Sequence, residues 1–440
     1  MTKDLETLNS KKTMLSYQED SFSIKAFFSQ LGSSLMLPIS LLPIAGIFIG
    51  VSSLLPPKEV FILSNIMYTM GIMLINNLPI LFALSVAYSF SNNNSKAIIF
   101  ALAAYLIFVA FQGSFIYKND DNTYGLLWYS LESFYFTNII GISVLNTSLF
   151  FGIIIGLIMG KVLKTFTNYH ILILCTFMIG ISSASFVLIF WPFIYYLLEY
   201  VFLWIGTLPV GIATFTYGFV NRLLLPFGLH SLLIPLVMYS PAGGVLLENG
   251  QIVAQGDKTI WLYLFGNDIP FQEAINNAGK PWVYNGNTYL LTEGTIPGQY
   301  QQGFLPIMIF AFPAAGLAMI RKTKDKKQKR IILIAAFTPM LTGITEPFEY
   351  LFVYTIPWLY FFHAFFTGLS FGLLSIMHTT IMLSSGWFLD VIFFGIIPAL
   401  AGNPTNWWTI FVFGPIFSCI YYFLFHFLYK KPNENKTQIE

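Results

Sequence analysis

Apolar residues run for about 20 positions at a time along almost the whole of this 440-residue chain, with short polar interruptions. Runs of that length and continuity predict helices that cross a membrane. The pattern places spans or half-spans near 31–55, 66–90, 97–117, 137–160, 171–200, 201–220, 222–240, 303–320, 331–356, 357–377, 379–402 and 407–429. Roughly eight to ten full crossings are expected from them. Two of these stretches, 222–240 and 340–356, are broken by Pro and Gly. They are expected to be re-entrant, because irregular backbone at membrane depth is tolerated only where protein or a wet cavity surrounds it. The runs do not alternate with period two, which argues against a β-barrel. The predicted class is an all-α polytopic membrane protein.

The polar stretches set the organisation. Residues 1–25 read as a cytoplasmic N-terminal tail, 26–430 as one membrane domain, and 431–440 as a C-terminal tail. A polar insertion occupies about 241–302 and carries Glu248, Asp257, Asp268, Glu273 and Glu293 but only Lys258 and Lys280. It is expected either outside the membrane or as a cover over the transport core. Orientation comes from the basic run Arg321–Arg330, which holds seven of the 22 Lys and Arg residues and is placed in the cytoplasm. Lys430 and Lys431 put the C-terminus on the same side, and the acidic loop Lys118–Asn122 falls outside. Residues 1–25 are polar and the first apolar run is too long for a signal peptide.

Composition narrows the function further. The chain is 56% hydrophobic and 10% charged, where a soluble domain carries about 25% charged residues. A net charge of +2 without a basic surface excludes nucleic-acid binding. Cys175 and Cys419 lie in apolar runs, which offers neither a disulfide framework nor a metal site. No cofactor or metal is expected.

Against this background a few ionisable residues stand out. Glu346 and Glu349, in Thr342-Gly343-Ile344-Thr345-Glu346-Pro347-Phe348-Glu349, are the only acids between Asp325 and Asp390. Each charge at membrane depth costs about 2.5–3.5 kcal/mol on insertion scales, so such groups are functional candidates. Pro347 suits the first turn of a helix, and Thr345 suits its N-cap. Arg222, in Asn221-Arg222-Leu223-Leu224-Leu225-Pro226-Phe227-Gly228-Leu229-His230, is the only Lys or Arg between Lys164 and Lys258. It needs a carboxylate or a wet cavity, unless it snorkels from a helix end. Pro226 and Gly228 argue against one helix running from 222 to 230. His230 is either a site residue or a hydrogen-bonded core histidine, and His170, His363, His378 and His426, none of which sits in a comparable cluster, read as hydrogen-bonded core residues. Glu346 and Glu349 form either part of a site or an ion pair with Arg222 that locks two segments. Asp390 either lines the same cavity or caps a helix. Carboxylates, Arg, Asn and His among aromatics suit a neutral polyhydroxylated ligand. The same set also suits a proton relay.

These segments resemble the enzyme IIC sugar permease of the phosphoenolpyruvate-dependent phosphotransferase system, in its glucose/maltose/N-acetylglucosamine branch. The resemblance rests on LTGITEPFE at 341–349, NRLLLPFGLH at 221–230, FAFPAAGLAMI at 310–320, HAFFTGLSF at 363–371 and LMLPISLLPIAGIFIG at 35–50. It implies a scaffold part and a transport part with re-entrant hairpins, and a homodimer among membrane lipids of the bacterial plasma membrane. It also implies a sugar bound at membrane depth and phosphorylated at its 6-hydroxyl from a phosphocysteine of enzyme IIB. That donor is itself charged through IIA, the phosphocarrier HPr and enzyme I. Carried over by position, Glu346 and His230 become the catalytic and sugar-binding residues, with Arg222, Asn221 and Glu349 as further sugar ligands. Ser231 stands where relatives often carry a second histidine. No IIA or IIB domain is read in this chain, so the phosphoryl donor is expected to be a separate polypeptide. A proton-coupled secondary sugar transporter and a non-transporting membrane sugar sensor are the alternatives.

Overall fold

The computed structural model describes residues 24–39, 62–118, 123–126, 129–354, 356–383 and 388–429, with a few positions between 41 and 48. Residues 1–23 of the expected N-terminal tail, the expected C-terminal tail at 431–440, most of the 118–122 loop, and Ser384–Trp387 lie outside the described residues.

The first helices are α1 (Ile24–Ile39), α2 (Ile62–Asn76), α3 (Leu78–Phe90) and α4 (Lys96–Gly113). Short strands β1 (Ile116–Lys118), β2 (Thr123–Leu126) and β3 (Tyr129–Glu132) form one antiparallel sheet, and β4 (Phe136–Ile139) and β5 (Ile142–Leu145) form a hairpin. The span expected over 137–160 is therefore a hairpin followed by helix α5 (Phe150–Thr165). The β-branched residues Thr137, Ile139, Ile142 and Val144, set about Gly141, suit a strand hairpin better than a helix.

Helix α6 (Tyr169–Gly206) runs unbroken for 38 residues. The sequence reading divided this stretch near residue 200, but Pro192 lies inside the helix without ending it and the chain turns only at Thr207–Pro209. Next come α7 (Val210–Leu224) and α8 (His230–Tyr239), joined by a 3-10 turn at Leu225–Phe227. Gly228 holds φ +68° there, so the break between Arg222 and His230 falls where Pro226 and Gly228 predict it.

The polar insertion folds as a small layer of its own. Strands β6 (Val245–Glu248) and β7 (Gln251–Gln255) precede helices α9 (Asp257–Gly266) and α10 (Phe271–Asn276), and β8 (Trp282–Tyr284) and β9 (Asn287–Leu291) follow. The strands pair in the order β7-β6-β9-β8, and Trp261, Phe271, Leu246 and Leu291 form a buried core beneath them. The insertion packs on the transmembrane part, since Trp261 Nε1 donates to Thr380 O at 3.0 Å.

The remaining helices are α11 (Phe304–Lys322), α12 (Lys326–Thr342), α13 (Glu346–Glu349), α14 (Pro357–Ile376), α15 (Phe388–Leu400) and α16 (Thr409–Leu428). Helices α11 and α15 each contain a π-helical stretch, at Ile307–Ala311 and Ile392–Ile396. Among the described residues, five helices are long and apolar enough to cross a membrane. A sixth span arises if α2 and α3, bent by 44° at their junction, count as one. The protein is thus an all-α polytopic membrane protein with little sheet.

Two large apolar clusters hold the helices. One gathers residues of α4, α5, α6, α7 and α8, and the other gathers residues of α11, α12, α13, α14 and α16. Helices α7 and α14 meet across a seam of Gly218, Gly368 and Gly372. A Cβ on Gly368 would lie 2.7 Å from Phe215 O, and one on Gly372 would lie 2.8 Å from Gly211 O. Small residues at such a seam let two backbones approach closely in lipid. That approach brings the end of α7 against α13 and α14, which is where the ionisable residues collect.

Candidate functional site

Arg222 occupies the last turn of α7 and is buried, with its side chain 5% exposed. Its Nη1 donates to Glu349 Oε1 at 2.6 Å and to Thr345 Oγ1 at 2.9 Å, and its Nη2 donates to Asn221 Oδ1 at 2.9 Å. The guanidinium carbon sits 4.5 Å from the centre of the Phe304 ring, in cation–π geometry. Snorkelling is thereby ruled out for Arg222, whose charge is met by a buried carboxylate instead. Asn221 also spans the turn, donating from Nδ2 to His230 O at 3.2 Å.

Glu349 has no exposed surface and is shared. Besides Arg222 it holds His363, whose Nε2 lies 2.9 Å from the same Oε1. His363 Nδ1 in turn meets Tyr421 OH at 2.8 Å, so α7, α13, α14 and α16 are tied through one carboxylate. The sequence reading set His363 aside because no polar cluster surrounds it in the chain. Its partners are 14 and 58 residues away, and only the packing of α13 and α16 on α14 brings them together.

Thr345 stands at the N-cap position of α13 as expected, but its hydroxyl makes no capping bond. It accepts from Arg222 and lies 3.4 Å from Glu349 Oε2, because the buried charges compete for it. Tyr350 OH donates to Leu225 O at 3.2 Å and Tyr354 OH donates to Pro226 O at 2.6 Å, docking the α13 segment on the α7–α8 turn.

Glu346 differs from Glu349. Its side chain is 21% exposed and faces His230, whose Nε2 lies 3.3 Å from Glu346 Oε1. With Glu346 ionised, Nε2 is the donor and Nδ1 is left as the basic nitrogen. Ser231 is hydrogen-bonded to Ser148, in the turn before α5.

Arg222, His230, Thr345 and Glu346 open onto a cavity of about 320 Å³. Small-molecule sites begin at about that size. Apolar lining comes from Ile234, Met238, Phe304, Met308 and Leu383. The insertion contributes Lys258, and the turns that lead from it to α11 contribute Gln301. Neither was singled out in the sequence, where they sit among many polar residues. The insertion therefore covers the cavity. Asp390 is buried in the first turn of α15 and is not part of the cavity lining. Burial lowers the Lys258 ammonium, and the nearby Asp390 carboxylate opposes that shift. Asn221 and Glu349 lie behind the lining, where they orient Arg222. Among the described residues no group of three His, Cys, Asp or Glu side chains is arranged to hold a metal ion.

The arrangement can hold hydroxyls from opposite sides. Carboxylate and imidazole accept or donate on one wall, ammonium and amide on the other, and Phe304 offers an apolar face. A proton leaving a bound hydroxyl has Glu346 to go to, or His230 Nε2 in its other tautomer, since Nδ1 is buried without a partner among the described residues.

Comparison with known proteins agrees with the motifs. The profile of the family described as Phosphotransferase system, EIIC matches residues 32–368. The chain is 30% identical over 456 residues to a protein named PTS system glucose-specific EIICBA component of Staphylococcus saprophyticus, covering 94% of this chain and 61% of that protein. It is 31% identical over 449 residues to the protein of the same name from Staphylococcus carnosus, covering 93% of this chain and 60% of the other. The chain thus spans about three fifths of the length of these curated relatives.

Proposed function

The chain belongs to the phosphotransferase system EIIC family, and from that premise we propose that it is the membrane permease subunit for a glucose-type sugar: glucose, maltose or N-acetylglucosamine. The sugar occupies the cavity between Glu346 and His230 on one side and Lys258 and Gln301 on the other. The observation that carries this reading is the Glu346–His230 pair at 3.3 Å, opening onto a 320 Å³ cavity with Arg222 and Phe304 beside it.

In this reading a IIB unit carrying a phosphocysteine approaches from the cytoplasmic side, supplied by IIA, HPr and enzyme I. The sugar 6-hydroxyl attacks phosphorus, the O6–P bond forms as the S–P bond breaks, and the thiolate leaves. The hydroxyl proton passes to Glu346 or to His230. Phosphoryl transfer is mostly positioning and charge management, so these groups act by holding O6 in line and accepting its proton. Arg222, oriented by Asn221 and Glu349, donates to the sugar or to the developing charge. Alternating access follows from movement of the sugar-binding unit that carries α13 relative to the scaffold. The protein works as a homodimer in the bacterial plasma membrane, with both termini cytoplasmic. Both cysteines lie within long apolar helices, α6 and α16, which supports a donor thiol that is neither of these two.

Glu346→Gln tests the site. Sugar binding measured by calorimetry on purified protein should fall at least about tenfold, the loss expected for one charged hydrogen bond. The unfolding transition should stay in place, because Glu346 is partly exposed. Wild-type affinity in that variant refutes the assignment.

A further inference from the structure

We infer that Asp257 is a positioning residue for the sugar: its carboxylate clamps the 298–302 segment and thereby fixes the cavity wall formed by Lys258 and Gln301. The inference rests on the proposed sugar site and extends it to a residue that does not touch the cavity.

Asp257 opens α9 with no exposed surface, inside the insertion. It accepts three N–H groups: Gly298 N at 2.8 Å, Tyr300 N at 3.3 Å and Gln301 Nε2 at 3.0 Å. Burial raises this carboxyl, to about 7, while the three donors pull the other way. Gln301 passes the hold onward, since its Oε1 accepts Leu383 N at 2.9 Å. Leu383 also lines the cavity and leads toward α15.

The amide of Gln301 thus has its orientation dictated. Its nitrogen must face the acceptor-only carboxylate and its oxygen must face a backbone N–H. One N–H and one lone pair of this buried amide remain, held in fixed directions. Lys258, the next residue after Asp257, emerges on the cavity side of the same turn. The backbone contacts leave little slack. A Cβ on Gly256 would lie 2.3 Å from Met238 O, and one on Gly298 would lie 2.9 Å from Ile381 O. One carboxylate therefore ties the insertion, the segment entering α11 and the segment entering α15 into a single wall.

Asparagine at 257 cannot accept all three donors, because one of its two terminal atoms is itself a donor. Asp257→Asn should therefore release either Gly298 or the Tyr300–Gln301 pair and loosen the 298–302 segment, without removing any cavity-lining group. At pH 8, hydrogen exchange should quicken at 298–302 and 381–383 but not at 222–230 or 343–349. Affinity for whichever of glucose, maltose or N-acetylglucosamine binds the wild type should fall about tenfold. Phosphorylation by phospho-IIB should show a raised KM with kcat unchanged. In the wild type, saturating sugar should slow exchange at both segments, a measurement that does not depend on the variant folding. Unchanged exchange, unchanged affinity, or a fall in kcat at saturating sugar each overturns the inference. Glu346→Gln run in parallel separates the two ideas. If it loses binding while Asp257→Asn does not, the site stands and the clamp falls. If the wild type binds none of the three sugars, the functional reading falls, and the ligand-positioning role of Asp257 falls with it.

Discussion

Glu349→Gln should unfold this protein far more readily than Glu346→Gln, although both remove one negative charge from the same short helix. Glu349 is fully buried, 2.6 Å from Arg222 Nη1 and 2.9 Å from His363 Nε2. Glutamine keeps the shape and one acceptor but leaves the guanidinium without a counter-charge in an apolar core. Removing one partner of a buried ion pair costs about 3–5 kcal/mol, because the other charge stays desolvated. That corresponds to two or more powers of ten in the folding equilibrium, at about 1.4 kcal/mol per decade. The charge, rather than the shape, should dominate, and a second variant isolates it. Arg222→Met combined with Glu349→Gln removes both charges and should recover most of the stability while still losing sugar affinity. The assay is unfolding in mixed detergent micelles followed by tryptophan fluorescence and circular dichroism, with the coupling between the two substitutions taken from the double-mutant cycle. Equal stability of Glu349→Gln and Glu346→Gln, or a double variant no better than Glu349→Gln alone, would refute the reasoning.

Two further outcomes follow from particular contacts. Gly228→Ala should destabilise the α7–α8 turn by about 1–3 kcal/mol and weaken sugar binding by displacing His230, because φ +68° disfavours a Cβ and that atom would lie 2.5 Å from Leu149 Cβ; thermal unfolding and calorimetry read the two effects. Phe304→Ala should weaken sugar binding several-fold and also destabilise, since the ring both lines the cavity and covers the Arg222 guanidinium. Phe304→Leu should restore stability but not affinity, and equal affinity of the two variants would contradict a face-on role for the ring.

The sequence made the membrane class legible, because a long apolar run has few alternatives. It also picked out Glu346, Glu349, Arg222, Asn221 and His230, since a charge in apolar surroundings demands a partner. Those five do converge in space, with Glu346 and His230 at the cavity and Asn221 and Glu349 behind Arg222. The two open readings of Glu349 resolve geometrically into an ion pair with Arg222 that also sits behind the cavity. His363 was not legible, because a histidine in an apolar helix announces itself only through partners that α13 and α16 deliver. Lys258, Gln301 and Asp257 were hidden for the opposite reason. In a polar insertion one more polar residue carries no signal, and only the packing of α9 and the 298–302 turns on the segment at 380–383 singles them out. The length of α6 was misjudged at its far end, where Gly206 and Pro209, rather than the residues near 200, stop the helix. Pro192 is accommodated inside it, as prolines in membrane helices often are.

That helix has a mechanical consequence. Thirty-eight residues at about 1.5 Å each make a rod roughly 57 Å long, whose charged residues are limited to Glu199. A hydrocarbon layer is about 30 Å thick, and a straight rod of that length would have to lean by roughly 58° to stay inside it, beyond the range of about 0–40° that spanning helices adopt. Part of the rod must therefore project beyond the hydrocarbon layer or lie against protein rather than lipid. Only Thr207, Leu208 and Pro209 separate the rod's C-terminal end from α7. A shift of that end along the membrane normal is thus passed through a three-residue link to the helix whose last turn carries Arg222, the guanidinium that Glu349 holds from behind.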